Sequence, residues 1–366
     1  MSKISLAQQD KKDFLFVYRN PAVEDVLDNE GKNGLPRDFL YGMTRMPRAD
    51  WINVPKGRRR GLRVITNLVE WPFTRLARLG FPLEIYPQFK ERLNQARVVF
   101  GINDAIGFGL LFYKRLGILK SEVWVISQSV HERARRHFKI KWLTNTIVRW
   151  LLAGADKVFV LSDVAKGPMT SRFGVDAQKL HRFTFGADTE FWHPRHGPRS
   201  NFILSIGNDS NRDYKTLVEA TPIDAPLRLI TRLPVTRSDG ELIAESSLTF
   251  PQVRDRYQSA ALVVIPTTEL DYESSGLSCA LQAAACGAPL ILPSIPALRE
   301  VFVEQRHCLF YKPENAEDLA QKIEIALSDK KRASRMGRRA AMHIKDSLSL
   351  TVSARSITKV LQKKAV

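Results

Sequence analysis

Short apolar runs recur along the chain and alternate with stretches whose apolar residues fall three and four apart. The runs in the first half are Phe14–Tyr18, Trp51–Val54, Ala96–Phe100, Val123–Ser127 and Lys157–Leu161. Those in the second half are Asn201–Ile206, Leu227–Thr231, Ala261–Ile265, Pro289–Leu292 and Cys308–Tyr311. Each has the length and the β-branched or aromatic content of a strand buried on both faces. Helical spacing lies between most of them, as at Leu143, Ile147, Trp150 and Leu151. Strands alternating with helices predict an α/β chain with parallel sheets.

The two strand sets are separated by FGADTEFWHPRHGPRS, residues 185–200. This stretch is rich in Gly, Pro and His and has no helical period, so 186–200 is predicted to be a linker. The expectation is two doubly wound, Rossmann-like domains, residues 1–185 and 201–345. A final helix at 346–366 is expected to cross back to the first domain. Ligands of such sheets bind at the carboxyl ends of the strands, and the default site is a central cleft between the two domains.

Charge adds a second layer. The 366 residues carry 56 Lys and Arg against 38 Asp and Glu, a formal net charge of +18. Residues 51–150 hold a net of +13, residues 201–300 a net of −4 and residues 301–366 a net of +7. A basic first half fits either a solvated basic surface or a polyanionic neighbour such as anionic lipid, nucleic acid or a phosphorylated substrate. Neither an aromatic RNA-binding motif nor a zinc finger is present, which argues against nucleic acid. The segment Lys56–Arg63, KGRRRGLR, reads as an exposed basic loop. Glu132–Leu152 mixes basic residues with Phe138, Trp142 and Trp150. It reads either as a core-packed helix with solvated charges or as a surface for an anionic bilayer.

Cys279, Cys286 and Cys308 are an odd number without a CxxC pair, which argues against a disulfide framework and a zinc site and fits reduced thiols. The first twenty residues place no apolar run ahead of their charges, and no apolar stretch nears the roughly 20 residues of a membrane span. The expectation is a cytoplasmic protein, with any membrane contact peripheral and on the inner face.

Two stretches carry candidate chemistry. In PTTELDYESSGLSCALQAAACGAP, residues 266–289, Glu273 follows a strand and Ser274, Ser275 and Gly276 lead into a small-residue helix. Free N–H groups and the dipole at such a helix start favour an anion, and a nearby carboxylate can accept bonds from hydroxyls. The alternative is a solvated Glu273 with Ser274 or Ser275 capping the helix. In SIGNDSNRDYKTL, residues 205–217, Gly207 allows a tight turn and Asp209 or Asn211 can cap. Arg212 and Lys215 bring cations to the same sheet edge. There the alternative is an ordinary capped helix with Arg212 paired to Asp213 on the surface.

These stretches, with ADKVFVLSDVAKGPMTSRFGVDAQKLHRFTFGADTEFWHP across residues 155–194, resemble the retaining family-4 glycosyltransferases of the GT-B fold. ESSGL followed by LQAAACGAP resembles the family's two glutamates about a Gly-Leu helix start. SIGNDSNRDYKTLVEA resembles its strand, basic phosphate loop and helix. The matches run in order over about residues 155–312. The resemblance implies an acceptor-binding first domain, a nucleotide-sugar-binding second domain, and transfer of a sugar from a nucleotide diphosphate to an acceptor hydroxyl.

The same resemblance assigns roles. Glu273 would hold hydroxyls of the donor sugar, Gly276 and Leu277 N–H groups the diphosphate, and Arg212 its leaving charge. Asn208 stands where many relatives carry Arg. Gln282 stands in place of the second glutamate, one residue later than the usual spacing. Asp209, Lys215 and Ser275 complete the expected donor set, and His131 is the candidate acceptor-site residue, a structural histidine being the alternative. Asn103 and Asp104, at the end of the preceding strand, read as cleft residues or helix caps. The Gly-Gly loop of the family is replaced by Tyr18-Arg19-Asn20-Pro21. No metal and no cofactor are expected beyond the nucleotide sugar as substrate. The acceptor is expected to be a polysaccharide, a lipid-linked glycan or a small glycan. The rival expectations are a non-catalytic nucleotide-sugar-binding protein of the same fold and a peripheral protein that binds polyanions or membranes.

Overall fold

The computed structural model describes residues 13–20, 22–28, 34–54, 68–71, 73–75, 79–128, 130–131, 134, 140–272 and 274–362. Glu273, the basic loop Lys56–Arg63 and most of residues 132–139 lie outside them. The chain divides into two compact units. One comprises Met1–Asp28 and Met43–Phe183, the other Asn29–Gly42 and Thr184–Val366.

The first unit is built on six strands: β1 (Phe14–Tyr18), β2 (Ala49–Asn53), β3 (Val98–Gly101), β4 (Glu122–Ser127), β5 (Lys157–Val160) and β6 (Leu180–Arg182). Their order is β2-β1-β3-β4-β5-β6, and every pairing is parallel. All five residues of β1, FLFVY, are buried, which is why it reads as an unbroken apolar run. Phe14, Phe100 and Phe159 close around Trp124 at centroid distances of 5.6, 6.5 and 5.7 Å. The helix Lys141–Ala153 buries Thr144, Val148, Leu151 and Leu152. Its inner face is thus turned from the predicted stripe, with Leu143 and Ile147 only half-buried. Trp150 packs on Phe112 and beneath Arg115, whereas Trp142 is exposed.

The second unit has β7 (Ile203–Ile206), β8 (Leu227–Ile230), β9 (Leu242–Glu245), β10 (Leu262–Val264), β11 (Leu290–Pro293) and β12 (Leu309–Tyr311). They run β12-β11-β10-β7-β8-β9, again all parallel. Counted from β7, this is the 3-2-1-4-5-6 order of a dinucleotide-binding sheet, with its reversal between β7 and β10. Ala280, Ala283 and Ala284 of the helix Leu277–Ala285 are fully buried against the core. The helix Lys330–Ser347 approaches so closely that a Cβ on Gly337 would lie 2.3 Å from the Gly287 carbonyl oxygen. Residues 34–42 belong to this unit although they come from the first half of the sequence. There Tyr41 meets Phe185, and Gly42, at φ +79°, lies against the backbone of Ala354.

Two strands were not foreseen, β6 and β9. Both are sheet edges; β6 reads LHR, and in β9 Ile243 and Ala244 are exposed while Leu242 and Glu245 are half-buried. Neither carries a buried, continuous apolar run to mark it, unlike β12, which is also an edge but whose LFY is wholly buried.

Candidate active site

The strand order reverses between β7 and β10, and the carboxyl ends at such a reversal are where ligands of open α/β sheets bind. Two loops meet there. Arg212 bridges Thr267, the Asp213 N–H reaches the Pro266 carbonyl at 3.4 Å, and the Thr268 N–H reaches that of Asn211 at 3.0 Å. The loop after β7 is therefore seated on the loop after β10 by backbone bonds, before any side chain is considered.

Arg212 is buried, its side chain only 2% exposed. It does not pair with Asp213, the surface alternative. Its Nε donates to the Ile206 carbonyl at 3.1 Å, and its Nη2 lies 3.3 Å from Asp209 Oδ2 and 3.5 Å from Cys279 Sγ. Its Nη1 has no hydrogen-bond partner among the described residues. Burial works against the charge, but Cys279 and Asp209 outweigh it, and the guanidinium pKa moves upward. A buried, fully charged guanidinium with one N–H set unsatisfied is costly unless an anion completes it.

Gly207 makes this placement possible. A Cβ there would sit 1.8 Å from Arg212 Nε and 2.5 Å from Cζ, at a φ of +151°. Only glycine lets the guanidinium cross the backbone at that point. The Gly207 carbonyl accepts from the Thr231 and Tyr214 hydroxyls at 2.8 and 2.9 Å, so the turn is held from the end of β8 and from the helix Tyr214–Ala220.

Opposite lies the start of the helix Leu277–Ala285. Its N-cap is Gly276, left-handed at φ +82°, and no side chain among the described residues caps it. Neither Ser274 nor Ser275 does so, as the alternative reading required. The Leu277 N–H, expected to hold the diphosphate, instead donates to the Ser274 carbonyl at 3.0 Å. The next N–H groups of the first turn, those a capping side chain would satisfy, are left for a ligand, and the helix dipole adds partial positive charge. A Cβ on Gly276 would fall 3.1 Å from Arg212 Nη1 and 2.6 Å from Ile265 Cγ2. The uncapped turn and the unpartnered guanidinium nitrogen thus face one another across the gap a side chain would fill.

Ser275 is recruited elsewhere: its hydroxyl donates to Asp209 Oδ1 at 2.7 Å. Asp209 therefore ties Ser275 to Arg212 and links both loops. It does not cap the helix Tyr214–Ala220, and neither does Asn211; Asp213 does, accepting from the Thr216 N–H at 3.1 Å. Asn208 Oδ1 accepts from the Arg232 N–H at 2.6 Å and holds the loop after β8. Lys215 stays apart from this group. It is 85% exposed and lies 3.9 Å from Glu219 on its own helix.

Gln282 has an unforeseen partner. Its Nε2 donates at 3.0 Å to Oδ2 of Asp38, which also accepts from Trp192 Nε1 at 2.6 Å. The Asp188 N–H donates to the other carboxylate oxygen. Arg37 closes the cluster, its Nε bonded to Asp188 at 2.9 Å and its Nη2 to Glu190. Burial pushes the Asp38 carboxyl up to about 6, against the lowering effect of the three donors. Arg37 is displaced upward, chiefly by Asp188. Asp38 lies 244 residues before Gln282, and its flanking sequence PRDFL carries no motif. The only sequence signal was the GAD of the linker, which supplies Asp188.

In the first unit His131 is buried at 5% exposure. Asn103 caps the helix Asp104–Arg115, accepting from the Ile106 N–H at 3.0 Å. Asp104 is buried and accepts from the Ser127 hydroxyl at 2.8 Å and the Gln128 N–H at 3.3 Å. Asn103 is thus the helix cap of the alternative reading, whereas Asp104 does not cap its helix but ties it to the end of β4. Among the described residues, no helix is long and apolar enough to cross a membrane.

Residues 248–343 match the family described as glycosyl transferases group 1. A D-inositol 3-phosphate glycosyltransferase of Gordonia bronchialis is 26% identical over 227 residues, 52% of this chain and 48% of that protein. The chain therefore aligns with about half the length of that curated relative. Among solved structures, a sucrose-phosphate synthase from Thermosynechococcus elongatus superposes with a TM-score of 0.66 at 16% identity, covering 87% of this chain and 84% of that one. HepE of Anabaena, in complex with UDP, gives 0.67 at 11% identity over 96% and 100% of the two chains, and it has also been solved with UDP-glucose. A glycosyltransferase of Rickettsia africae gives 0.63 at 14% identity over 97% and 98%. The shared architecture is the GT-B fold.

Proposed function

We propose, from the match of residues 248–343 to the glycosyl transferases group 1 family, that the protein transfers a sugar from a nucleotide diphosphate, UDP in the first instance, to an acceptor hydroxyl with retention at the anomeric carbon. The observation that carries this is the buried Arg212, whose Nη1 lacks a partner and opens onto the uncapped helix turn at Gly276. That pairing suits a diphosphate: a planar cation on one side, backbone donors and a positive dipole end on the other. The UDP and UDP-glucose complexes of HepE support the choice of base.

In this reaction the bond between the anomeric carbon and the phosphate oxygen breaks, and its electron pair passes to the diphosphate. The acceptor oxygen forms the new bond, and its proton goes to the leaving phosphate. The developing negative charge needs donors fixed in advance, and Arg212 with the first turn of the Leu277 helix supplies them. Asp209 and Ser275 hold Arg212 in register with that turn. Glu273 is assigned the hydroxyls of the donor sugar by its place in the motif. Polysaccharides, lipid-linked glycans and small glycans are the acceptors this reading allows.

A thermal-shift and calorimetric screen against UDP-, GDP- and ADP-sugars tests the proposal, since a ligand of the native state raises apparent stability by mass action. Binding of UDP-glucose with slow release of UDP supports it, and the absence of any shift with all three classes overturns it. A second reading, a binding protein without turnover, is favoured by one observation: Gln282, which stands where the resemblance implies a carboxylate, is engaged by Asp38. Tight UDP-sugar binding with no UDP release on any acceptor would select it.

A further inference from the structure

On the opposite edge of the second sheet lies a cavity of about 530 Å³ that the donor reading does not use. Ala261 and Pro289, which immediately precede β10 and β11, line its floor, so it sits at the amino ends of the strands whose carboxyl ends form the candidate active site. Its size falls within the roughly 300–1,000 Å³ of small-molecule pockets. Its walls are the loop Pro194–Ser200 and the start of the helix Lys330–Ser347. The loop is stiffened by Pro194 and Pro198, which fix the rim.

The lining is one-sided in charge. Arg195, Arg199, Lys330 and Arg338 all face it, with His196 beside them, and among the described residues no Asp or Glu lines it. Lys330, Ser334 and Arg338 stand four residues apart and so share one face of their helix. Among the described residues, none of these cations forms an ion pair. Arg199 is the informative one. Its Nη1 donates to the carbonyls of Tyr257, Gln258 and Ala260 at 3.1, 3.0 and 3.1 Å, and its Nη2 to that of Gly287 at 2.7 Å. It is thus locked at the carboxyl ends of two helices with no carboxylate to balance it. Burial lowers its pKa, and Arg195 adds to the repulsion. Four positive groups around one concave space, one of them rigidly held, form a field that a mobile anion can neutralise.

We propose that this cavity is a second anion site, which binds a phosphorylated group on Arg195, Lys330 and Arg338 with Arg199 as its fixed positive floor. The group is either a free phosphorylated small molecule or the phosphate of a lipid headgroup. Arg195 and Arg338 offer planar forks for phosphate oxygens and Lys330 a point charge. The site is independent of the donor reading, because its residues belong to the other end of the sheet.

The test is binding of inorganic pyrophosphate to the full chain in saturating UDP, which occupies the site at Arg212. The probe variant is the triple substitution Arg195→Gln, Lys330→Gln and Arg338→Gln. All three side chains belong to exposed residues, so the fold is retained and Tm serves as the check. The control removes the same charge elsewhere on the surface, by Lys331→Gln, Arg335→Gln and Lys345→Gln. Wild type should bind pyrophosphate in the presence of UDP, the triple variant about tenfold or more weakly, and the control as wild type, with affinity falling steeply in salt. Equal binding by wild type and triple variant, equal weakening in the control, or no binding under saturating UDP would each overturn the proposal.

A second arm separates the sources. Phosphatidylcholine vesicles doped with phosphatidic acid are sedimented with each protein. Vesicle binding that the triple variant loses and pyrophosphate competes away assigns the site to a lipid headgroup. Pyrophosphate binding without vesicle binding assigns it to a free phosphorylated molecule. Either result supports the site.

Discussion

Gly207→Ala is the sharpest probe of the candidate active site, because it adds one methyl group and removes no functional atom. That methyl would lie 1.8 Å from Arg212 Nε and 2.7 Å from Nη2, so the guanidinium has to leave its seat. Leaving costs the bond to the Ile206 carbonyl and the pairing with Asp209, and it takes Nη1 away from the turn at Gly276. A charge-assisted bond of this kind contributes about 1.5–3 kcal/mol, so UDP binding should weaken by roughly 10- to 150-fold. Calorimetric titration of UDP into wild type, Gly207→Ala, Arg212→Ala and the double variant reads the effect. If the methyl acts by displacing Arg212, the double variant binds no more weakly than Arg212→Ala alone, and the cycle is strongly non-additive. Additive losses would mean that Gly207 and Arg212 act separately. Unchanged UDP affinity in Gly207→Ala would refute the site as described.

Two further predictions concern groups away from the diphosphate. Asp38 is buried with its carboxyl raised from 3.8 to about 6, so the native state holds the proton more tightly than the unfolded chain does. Its contribution is then full below the unfolded value and is lost as pH rises through the folded one, a change of about 3 kcal/mol. Asp38→Asn carries a fixed, pH-independent cost from the Asp188 N–H that it meets, so the slope is the readout. The stability difference, variant minus wild type, should rise by about that amount between about pH 4 and about pH 7 in urea titrations, and a flat difference would contradict the assignment. Arg199→Met leaves the carbonyls of Tyr257, Gln258, Ala260 and Gly287 without their donor. It should lower unfolding free energy by about 2–4 kcal/mol while UDP affinity stays unchanged. A loss under about 1 kcal/mol would show that water replaces the guanidinium at no cost.

The ten apolar runs read from the sequence all overlap strands, most of them buried on both faces and so apolar at nearly every position, whereas β2, ADWIN, is half-buried and was marked by Trp51 and Ile52. The loops after β7 and β10 were legible for a related reason. Gly207, Arg212 and Gly276 are residue types whose backbone freedom or charge has local consequences that can be read without coordinates. The edge strands β6 and β9 escaped because neither carries the buried, continuous apolar run that marks the others.

What the sequence alone determined is therefore the alternation of elements, the parallel sheets and the identity of the two loops that meet at the carboxyl ends of β7 and β10. It did not determine which atoms of that pair meet. That Asp209 joins Ser275 to Arg212, that Cys279 lies beneath the guanidinium, and that Asp213 caps the helix were decided by the seating of one loop on the other. The Asp38–Gln282 bond and the cation-lined cavity belong to the same class. Each joins side chains from distant segments, and periodicity reports only on neighbours along the chain, whereas burial and charge balance depend on what the whole fold brings into contact.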